Sequence, residues 1–353
     1  VWRTYYGGKK LEEWQGVEDP MDGTYPEEWL ASTVCAYNPG RNSPENEGLS
    51  GICLKSGEHR FLKTLIESNP VDYLGERHVR EYGSDMGILA KIIDAHNRLT
   101  IQVHPDKVTA KKLFGSKFGK TEAWYILGGR SVNGEEPYIL LGFKPGITRE
   151  IWEKYFIEQN IDAMIDSLHK IYVKPGEVYF IGGGLPHAIG SGCFLIEIQE
   201  PTDYTIRVER KTPEGIKIDD RLIHQGVGFE RLFECFHYHD MTLVEVLNRC
   251  KVKPLIIHNN KDYIETVLIG DHQTNLFSMR RIMIMTEYKM QKKEGFKFCV
   301  VVSGSGTLPV DKNEVMAIKQ GDVLFIPASV DEVTLYSDFL EPMEIVTFYP
   351  PIT

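Results

Sequence analysis

The sequence lacks the features that mark secreted, membrane and disulfide-bonded proteins. Only 6 of its 353 residues are cysteine, and they form no CxxC pair. This usage is typical of a reduced cytoplasmic protein without disulfides. No apolar run approaches the roughly 20 residues that span a bilayer, and residues 1–4 contain no apolar signal-peptide core. We therefore expect a cytoplasmic location and no membrane partner.

Basic residues are also fewer than acidic residues. The chain has 40 Lys and Arg against 50 Asp and Glu, which gives a formal net charge of −10. Because nucleic-acid binding depends on cationic side chains that pair with phosphates, this balance predicts no nucleic-acid partner. A few local Lys or Arg residues would still suffice for a small anionic ligand. No Walker-type glycine loop marks where such a phosphate would bind.

Short apolar runs separated by turn residues make up most of the chain, which predicts a mainly β protein. The predicted strands include residues 88–94, 99–103, 122–127, 138–143, 193–199, 243–247, 263–268, 298–302 and 343–348. Helical spacing of apolar residues is confined to residues 58–68, 107–114 and 148–171, with Asn160 as an expected break in the last. The pattern favours β-sandwich or barrel domains with a helical insertion.

One phrase occurs twice in the chain. Residues 174–181 (KPGEVYFI) are similar to residues 319–326 (KQGDVLFI), and only the first phrase is soon followed by a histidine, His187. The repeat predicts two copies of one β-fold, of which only the first keeps a polar site.

Four polar residues in separate segments form a candidate metal site. Gln102 and His104 are two apart on a predicted strand, so that both side chains face the same way. Glu122 opens another strand, with Lys120 on the same side, and His187 follows a glycine-rich turn. Two imidazoles, one carboxylate and one amide oxygen are a reasonable ligand set for Zn²⁺ or another borderline divalent ion.

Three segments resemble the signature segments of class I mannose-6-phosphate isomerases, which are zinc-dependent members of the cupin superfamily. The segments are IQVHPD at residues 101–106, GKTEAWYIL at 119–127 and GLPHAIGSG at 184–192. Residues 88–95, the pair Gly7-Gly8 and the region of Glu28 and Trp29 also resemble phrases of that family. The resemblance is clear over roughly residues 1–210 and weak beyond them.

The resemblance implies a fold of two cupin (jelly-roll β-barrel) domains with a helical insertion. Residues 1–240 would form the catalytic domain, with helical segments around 105–117 and 148–171. Residues 241–353 would form a degenerate cupin domain without a metal site. One zinc ion per chain would be bound by Gln102, His104, Glu122 and His187, and the chain would be a monomer or a homodimer.

The resemblance also assigns catalytic and substrate-binding residues. The family carries a Glu and an Arg ten residues later, which Glu197 and Arg207 match, with Asp203 at an acidic position between them. Arg207 then resembles the active-site arginine, and Glu197 is the first candidate for the general base. Lys120 is the second candidate and could instead hold the phosphate. Asp203 and Ser32 are further candidates for substrate binding.

The implied function is the interconversion of mannose 6-phosphate and fructose 6-phosphate. Moving a proton between adjacent carbons passes through an enediolate, whose negative oxygen a metal or Arg207 could stabilise. Another sugar or sugar phosphate on the same scaffold, or a sugar-binding cupin without turnover, remains open. Gln102, where oxygenases usually place a His, counts against a non-haem iron oxygenase. The chain departs from the family pattern at Tyr6, at Lys107 and directly after Arg207. Because of these departures, the resemblance says less about which sugar binds.

Overall fold

The computed structural model describes residues 1–39, 44–54, 56–290, 295–311, 314–338 and 341–352. The chain divides into two compact units. Unit 1 contains Val1–Glu28, Cys35–Glu47 and Lys91–Val252, and unit 2 contains Trp29–Val34, Gly48–Ala90 and Lys253–Thr353. The domain boundary expected after residue 240 stays a prediction. No helix within the described ranges is long and apolar enough to cross a membrane.

Strands are the commonest regular structure among the described residues. The helices are α1 Lys9–Gln15, α2 Leu62–Ser68, α3 Pro70–Leu74, α4 Glu76–Tyr82, α5 Lys107–Phe114, α6 Arg149–Glu158, α7 Ile161–Asp166, α8 Asp220–His224 and α9 Leu243–Cys250, with a 3-10 turn at Leu232–Cys235. The strands in residues 1–252 are β1 Glu27–Leu30, β2 Gly51–Cys53, β3 His59–Phe61, β4 Leu89–Asp94, β5 Gln102–Val103, β6 Glu122–Gly129, β7 Tyr138–Phe143, β8 Leu168–Tyr172, β9 Val178–Ile181, β10 His187–Ile189, β11 Cys193–Gln199, β12 Ile206–Arg207 and β13 Lys251–Val252. The remaining strands are β14 Leu255–Asn259, β15 Tyr263–Ile269, β16 Ser278–Ile284, β17 Glu287–Met290, β18 Lys297–Ser303, β19 Ser305–Asp311, β20 Glu314–Lys319, β21 Val323–Ile326, β22 Val333–Ser337 and β23 Met343–Tyr349.

Unit 1 is built on two sheets that share a core. The six-stranded sheet has the order β1-β4-β11-β6-β9-β13, and the five-stranded sheet has the order β12-β5-β10-β7-β8. One buried cluster contains Trp124 and Leu195 from the first sheet together with Ile139 and Ile189 from the second. Apolar side chains therefore fill the space between the sheets, as in a β-sandwich. Strands β5, β6 and β10 carry the candidate metal ligands.

Unit 2 repeats this arrangement of strands. Its six-stranded sheet has the order β14-β15-β16-β23-β18-β21, and a four-stranded sheet has the order β17-β22-β19-β20. Its core contains Ile282 and Val301 from the first sheet and Tyr288 and Leu335 from the second. Among the described strands of either unit, no sheet closes on itself. Each unit therefore consists of open sheets packed face to face, and the jelly-roll β-barrel detail of the expected fold stays a prediction.

The helix predictions were correct where caps accompany the apolar pattern. The side chain of Asp106 accepts the amide of Thr109 at 2.7 Å, and α5 matches the predicted residues 107–114. The expected break at Asn160 is confirmed, since its side chain caps α7. The helical pattern predicted to residue 171 ends at Asp166 instead. Residues from Leu168 onward form β8 and pair with β7, because their apolar positions serve a strand equally well.

Two segments were assigned wrongly from the sequence. Residues 243–247 form the first part of α9 rather than a strand. A capping box joins Thr242 and Glu245 at its start, and this sequence signal was missed. Residues 58–68 are helical only from Leu62, because His59–Phe61 pairs with β2. In both cases the secondary structure follows from local capping or strand pairing and differs from what the apolar pattern indicated.

Candidate active site

Three strands of unit 1 bring the predicted metal ligands together. Gln102 on β5 and His187 on β10 are register partners in the five-stranded sheet. His104 follows β5 by one residue, and Glu122 is the first residue of β6 in the other sheet. Ligand atoms of His104, Glu122 and His187 all lie within 4.8 Å of one another. The four residues are buried, with exposed fractions of 7% or less.

The two imidazoles are held so that their lone pairs converge. Nδ1 of His104 lies 2.7 Å from the carbonyl of Tyr204, and Nδ1 of His187 lies 2.8 Å from the carbonyl of Leu185. Because a carbonyl only accepts, each Nδ1 carries the proton and each Nε2 carries a lone pair. The two Nε2 atoms are 3.2 Å apart. Burial lowers the pKa of both imidazoles, which keeps them neutral and able to bind a metal.

Glu122 adds a buried carboxylate to the two imidazoles, which favours a cation at this point. Its carboxylate is fully buried, and neither oxygen accepts a hydrogen bond from a described residue. One oxygen lies 3.1 Å from Nε2 of His104 and the other lies 3.4 Å from Nε2 of His187. A buried carboxylate facing two lone pairs is unfavourable unless a cation lies among them. The donor set fits one zinc ion, whose usual ligands are imidazole and carboxylate.

Gln102 lies beside these three residues. Its amide nitrogen is 3.3 Å from Nε2 of His187. Rotation of the amide by half a turn would direct its oxygen toward the same point. Lys120 reaches the same group, with Nζ 3.2 Å from Nε2 of His104 and 3.6 Å from a Glu122 oxygen. Burial lowers the pKa of Lys120 from its ordinary value.

A polar cavity adjoins the ligands on the side of Gln102 and Lys120. Glu197 lines it, with one oxygen 3.2 Å from Nζ of Lys91 and the other accepting from the indole nitrogen of Trp124 at 3.1 Å. Burial disfavours the charged form of Lys91, but Glu197 and other acids outweigh it and raise the pKa of Lys91. Lys91 therefore stays charged beside Glu197 inside the protein.

Arg207 lines the same cavity from β12. Its Nη1 donates to the carbonyl oxygens of Thr205 and of Leu222 on α8, at 3.2 and 2.7 Å. It forms no ion pair with a carboxylate of the described residues. Burial lowers its pKa to about 10. The guanidinium is thus oriented by backbone groups and retains donors for an anionic ligand.

A second arginine occupies the other part of the cavity wall. Arg3 donates to both oxygens of Asp203 at 3.3–3.4 Å and lies 2.9 Å from Glu27, which also accepts from the hydroxyl of Tyr5 at 2.9 Å. Asp203 accepts a further bond from the amide of Tyr37. Burial works against the ionised form of Asp203, but Arg3 and nearby lysines outweigh it and lower its pKa.

The remaining sequence candidates lie elsewhere. Ser32 belongs to unit 2, and its hydroxyl bonds to the backbone of Val34 in its own loop. It is not among the described residues that line the cavity. Lys107, Lys111 and Lys112 are exposed on α5. The predicted substrate role of Ser32 stays a prediction.

Several residues in this cavity were not recognised from the sequence. Arg3, Glu27 and Tyr5 come from segments without a recognisable spacing, and their partners are distant along the chain.

The Gly7-Gly8 pair did carry a signal. A Cβ on Gly7 would lie 1.8 Å from the carbonyl oxygen of Asp94, while the Gly8 amide donates to the Asp94 carboxylate at 2.9 Å. The glycines let the N-terminal segment approach β4 closely.

Comparison with known proteins agrees with this geometry. Residues 5–120 match the family model for the catalytic domain of type I phosphomannose isomerase, and residues 272–341 match the model for the cupin domain of mannose-6-phosphate isomerase. The chain is 26% identical over 336 residues to the mannose-6-phosphate isomerase of Streptococcus mutans, covering 92% of this chain and 89% of that protein. It is also 26% identical over 298 residues to mannose-6-phosphate isomerase ManA of Bacillus subtilis, covering 81% and 86%.

Solved structures show the same fold. The crystal structure of the mannose 6-phosphate isomerase from Bacillus subtilis superposes with a TM-score of 0.73 at 21% identity, covering 98% of this chain and 96% of that one. A zinc-bound mannose 6-phosphate isomerase superposes with a TM-score of 0.71 at 17% identity, covering 100% and 98%. With the matched family models and the convergent His104, Glu122 and His187, these findings show that the chain belongs to the type I phosphomannose isomerases.

Proposed function

We propose that this protein interconverts mannose 6-phosphate and fructose 6-phosphate through an enediolate. The observation that carries the proposal is the convergence of two imidazole lone pairs and a buried carboxylate beside a cavity that holds both acids and cations. His104, Glu122 and His187 would hold the zinc, with Gln102 as the fourth protein ligand. When bound, zinc supplies a Lewis acid that polarises the oxygens of the substrate.

The chain's own residues would bind the sugar and move the proton. Glu197 is our first candidate for the base that takes a proton from one carbon and returns it to the next. Its contacts with the ammonium of Lys91 and the indole of Trp124 fix the orientation of the carboxylate. Lys120 is the second candidate for the base and also a candidate for holding the phosphate. A buried position excludes bulk water from the transferred proton at either residue.

Arg207 would stabilise the negative charge that develops on the substrate. Its position is fixed by two backbone carbonyls, so little reorganisation is needed when charge appears. Asp203 is proposed to support substrate binding through Arg3, because its oxygens are already bound by Arg3 and by a backbone amide.

A coupled assay for fructose 6-phosphate, with mannose 6-phosphate as substrate, tests the function. We expect turnover that is lost when zinc is removed by a chelator and returns when zinc is added back. Turnover only with another sugar phosphate would favour an isomerase with different substrate preference. Zinc binding without turnover on any sugar phosphate would favour a sugar-binding cupin and overturn the proposal.

We also infer that the two units are copies of one cupin fold. In unit 1 the amide of Gly176 donates to Ile126, and the carbonyl of Glu177 accepts from the same residue. In unit 2 Gly321 and Asp322 make the matching pair of bonds with Val301. Identical turns before β9 and β21, within sheets of equivalent order, support a duplication. A cytoplasmic location, consistent with six free cysteines, is part of the proposal.

A further inference from the structure

Unit 2 contains a cavity that the proposed isomerase reaction does not use. Its volume is about 280 Å³. Its polar lining comes from Arg77 on α4, Ser278 and Arg280 on β16, Lys297 on β18 and Tyr349 on β23, all within this unit. The space is adequate for a small phosphate monoester.

The cavity occupies the strand position that holds the metal ligands in unit 1. Glu122, the first residue of β6, pairs with Ile181 of β9. Lys297, the first residue of β18, pairs with Ile326 of β21. Because the repeated phrase makes the two isoleucines equivalent, Lys297 stands where unit 1 has its buried carboxylate. The sign of the buried charge at this position is therefore reversed.

The lining of this cavity carries more positive than negative charge. Lys297 is only 6% exposed. Arg280 donates through Nη1 to Glu265 at 2.7 Å, and its guanidinium lies 5.2 Å from the ring centre of Tyr349. Arg77 adds a third cation to the lining, whose carboxylate is that of Asp271. A concave site with this balance attracts anions even though the whole chain is acidic.

One buried N–H donor in the cavity wall, on the guanidinium of Arg280, has no acceptor among the described residues. Nε of Arg280 is shielded from solvent and donates to no described residue. A buried N–H of a guanidinium costs free energy when it is left without a hydrogen bond. Glu265 engages one edge of the same group, so the remaining donors are oriented for a second acceptor. An oxyanion with several acceptor oxygens would satisfy them, and the ammonium of Lys297 lines the same cavity.

We propose that this cavity binds the phosphate group of a small molecule, either free phosphate or a phosphate monoester. The ammonium of Lys297 and the guanidinium of Arg280 hold the phosphate oxygens, and Arg77 adds a longer-range attraction. The site is separate from the metal ligands and does not depend on the reaction that unit 1 catalyses.

Isothermal titration calorimetry on the zinc-loaded full chain tests the site. The parent protein carries Arg207→Ala, which removes one cation from the active-site cavity of unit 1 and leaves the cavity of unit 2 intact. Inorganic phosphate and glycerol 3-phosphate are titrated separately. We expect binding of at least one of them, and tighter binding of glycerol 3-phosphate identifies a monoester as the ligand, whereas tighter binding of inorganic phosphate identifies the free ion.

Substitutions then locate the binding. Lys297→Met in the same background is expected to weaken binding roughly tenfold or more. Lys261→Met removes the same charge from an exposed position of unit 2 and is expected to leave binding unchanged. If Lys297→Met fails to fold, as judged by circular dichroism, the exposed Arg77→Gln replaces it and is expected to weaken binding roughly threefold. No binding of either probe at millimolar concentration, or unchanged binding after these substitutions, overturns the proposal.

Discussion

The two units have sheets of equivalent order and matching turns, yet they differ in the charged groups inside. At one strand position unit 1 has Glu122 and unit 2 has Lys297. At another, Glu197 opposite Trp124 in unit 1 corresponds to Thr347 opposite Cys299 in unit 2. The comparison teaches that the backbone determines where a side chain lies but not which charge it carries. Whether a position binds a cation or an anion depends on side chains that the fold does not dictate.

The largest expected effect comes from the position with opposite charges in the two units. Glu122→Gln keeps the size of the side chain but removes the charge that balances a divalent cation. We expect turnover of mannose 6-phosphate to fall more than about a hundredfold, because loss of groups that merely support metal ligands already costs 10–100-fold. The matched change in unit 2, Lys297→Gln, is expected to leave turnover unchanged. Equal losses in both variants would contradict a division of roles between the units.

Arg207→Ala separates charge stabilisation from metal binding. Loss of a donor aimed at developing negative charge is expected to lower kcat about a hundredfold. Zinc content, measured by mass spectrometry, is expected to stay at one per chain, since Arg207 bonds only to backbone carbonyls among the described residues. Arg221→Ala, at an exposed arginine, is the control. Loss of zinc in Arg207→Ala would show instead that the arginine supports the structure of the metal site.

Buried and exposed ion pairs of the two units are expected to differ in their effect on stability. Arg3→Met leaves Glu27 and Asp203 buried without their guanidinium, and we expect the free energy of unfolding to fall by about 3 kcal/mol. Arg281→Met in unit 2 removes a partly exposed pair with Glu344 and is expected to cost less than about 1 kcal/mol. Urea unfolding measures both values. Similar costs for the two variants would show that the network around Arg3 is not sealed from water.

The smallest difference between the units is expected in thiol reactivity. Burial raises the pKa of Cys193 in unit 1 and Cys299 in unit 2 to about 12. Because the thiolate is the reactive form, both stay unreactive in the folded protein at pH 8. The exposed Cys35 and Cys53 are expected to react with a disulfide reagent, giving two modified thiols per chain. Labelling of Cys193 or Cys299 under these conditions would indicate local opening of that unit.

Much of the site could be predicted from the sequence because its ligands lie in short segments with fixed spacing. Gln102, His104, Glu122 and His187 were found in this way, and the structure brings them together. Arg3 could not be found, because its partner Asp203 is remote in sequence and no spacing links them. The ion pair between Lys91 and Glu197 was likewise missed, since it depends on β4 and β11 being neighbours in a sheet.

The fold was predictable as a class but not in detail. Strands such as β7 and β11 were recognised from apolar runs, and α5 from the helical spacing of its apolar residues. The order of the strands within the sheets follows from hydrogen bonds between remote strands, which no local pattern reports. Helix α9 was missed for a different reason, because its capping box was present in the sequence and was outweighed by an apolar run that also fits a strand.

X-ray absorption at the zinc edge, together with zinc counting by mass spectrometry, tests the central claim most directly. We expect one zinc per chain with nitrogen and oxygen ligands at about 2.0–2.2 Å and no sulfur ligand. His187→Ala is expected to remove one imidazole from the spectrum or the zinc from the protein. A protein that binds no zinc, or whose zinc spectrum is unchanged in His187→Ala, would contradict the assignment of the ion to His104, Glu122 and His187.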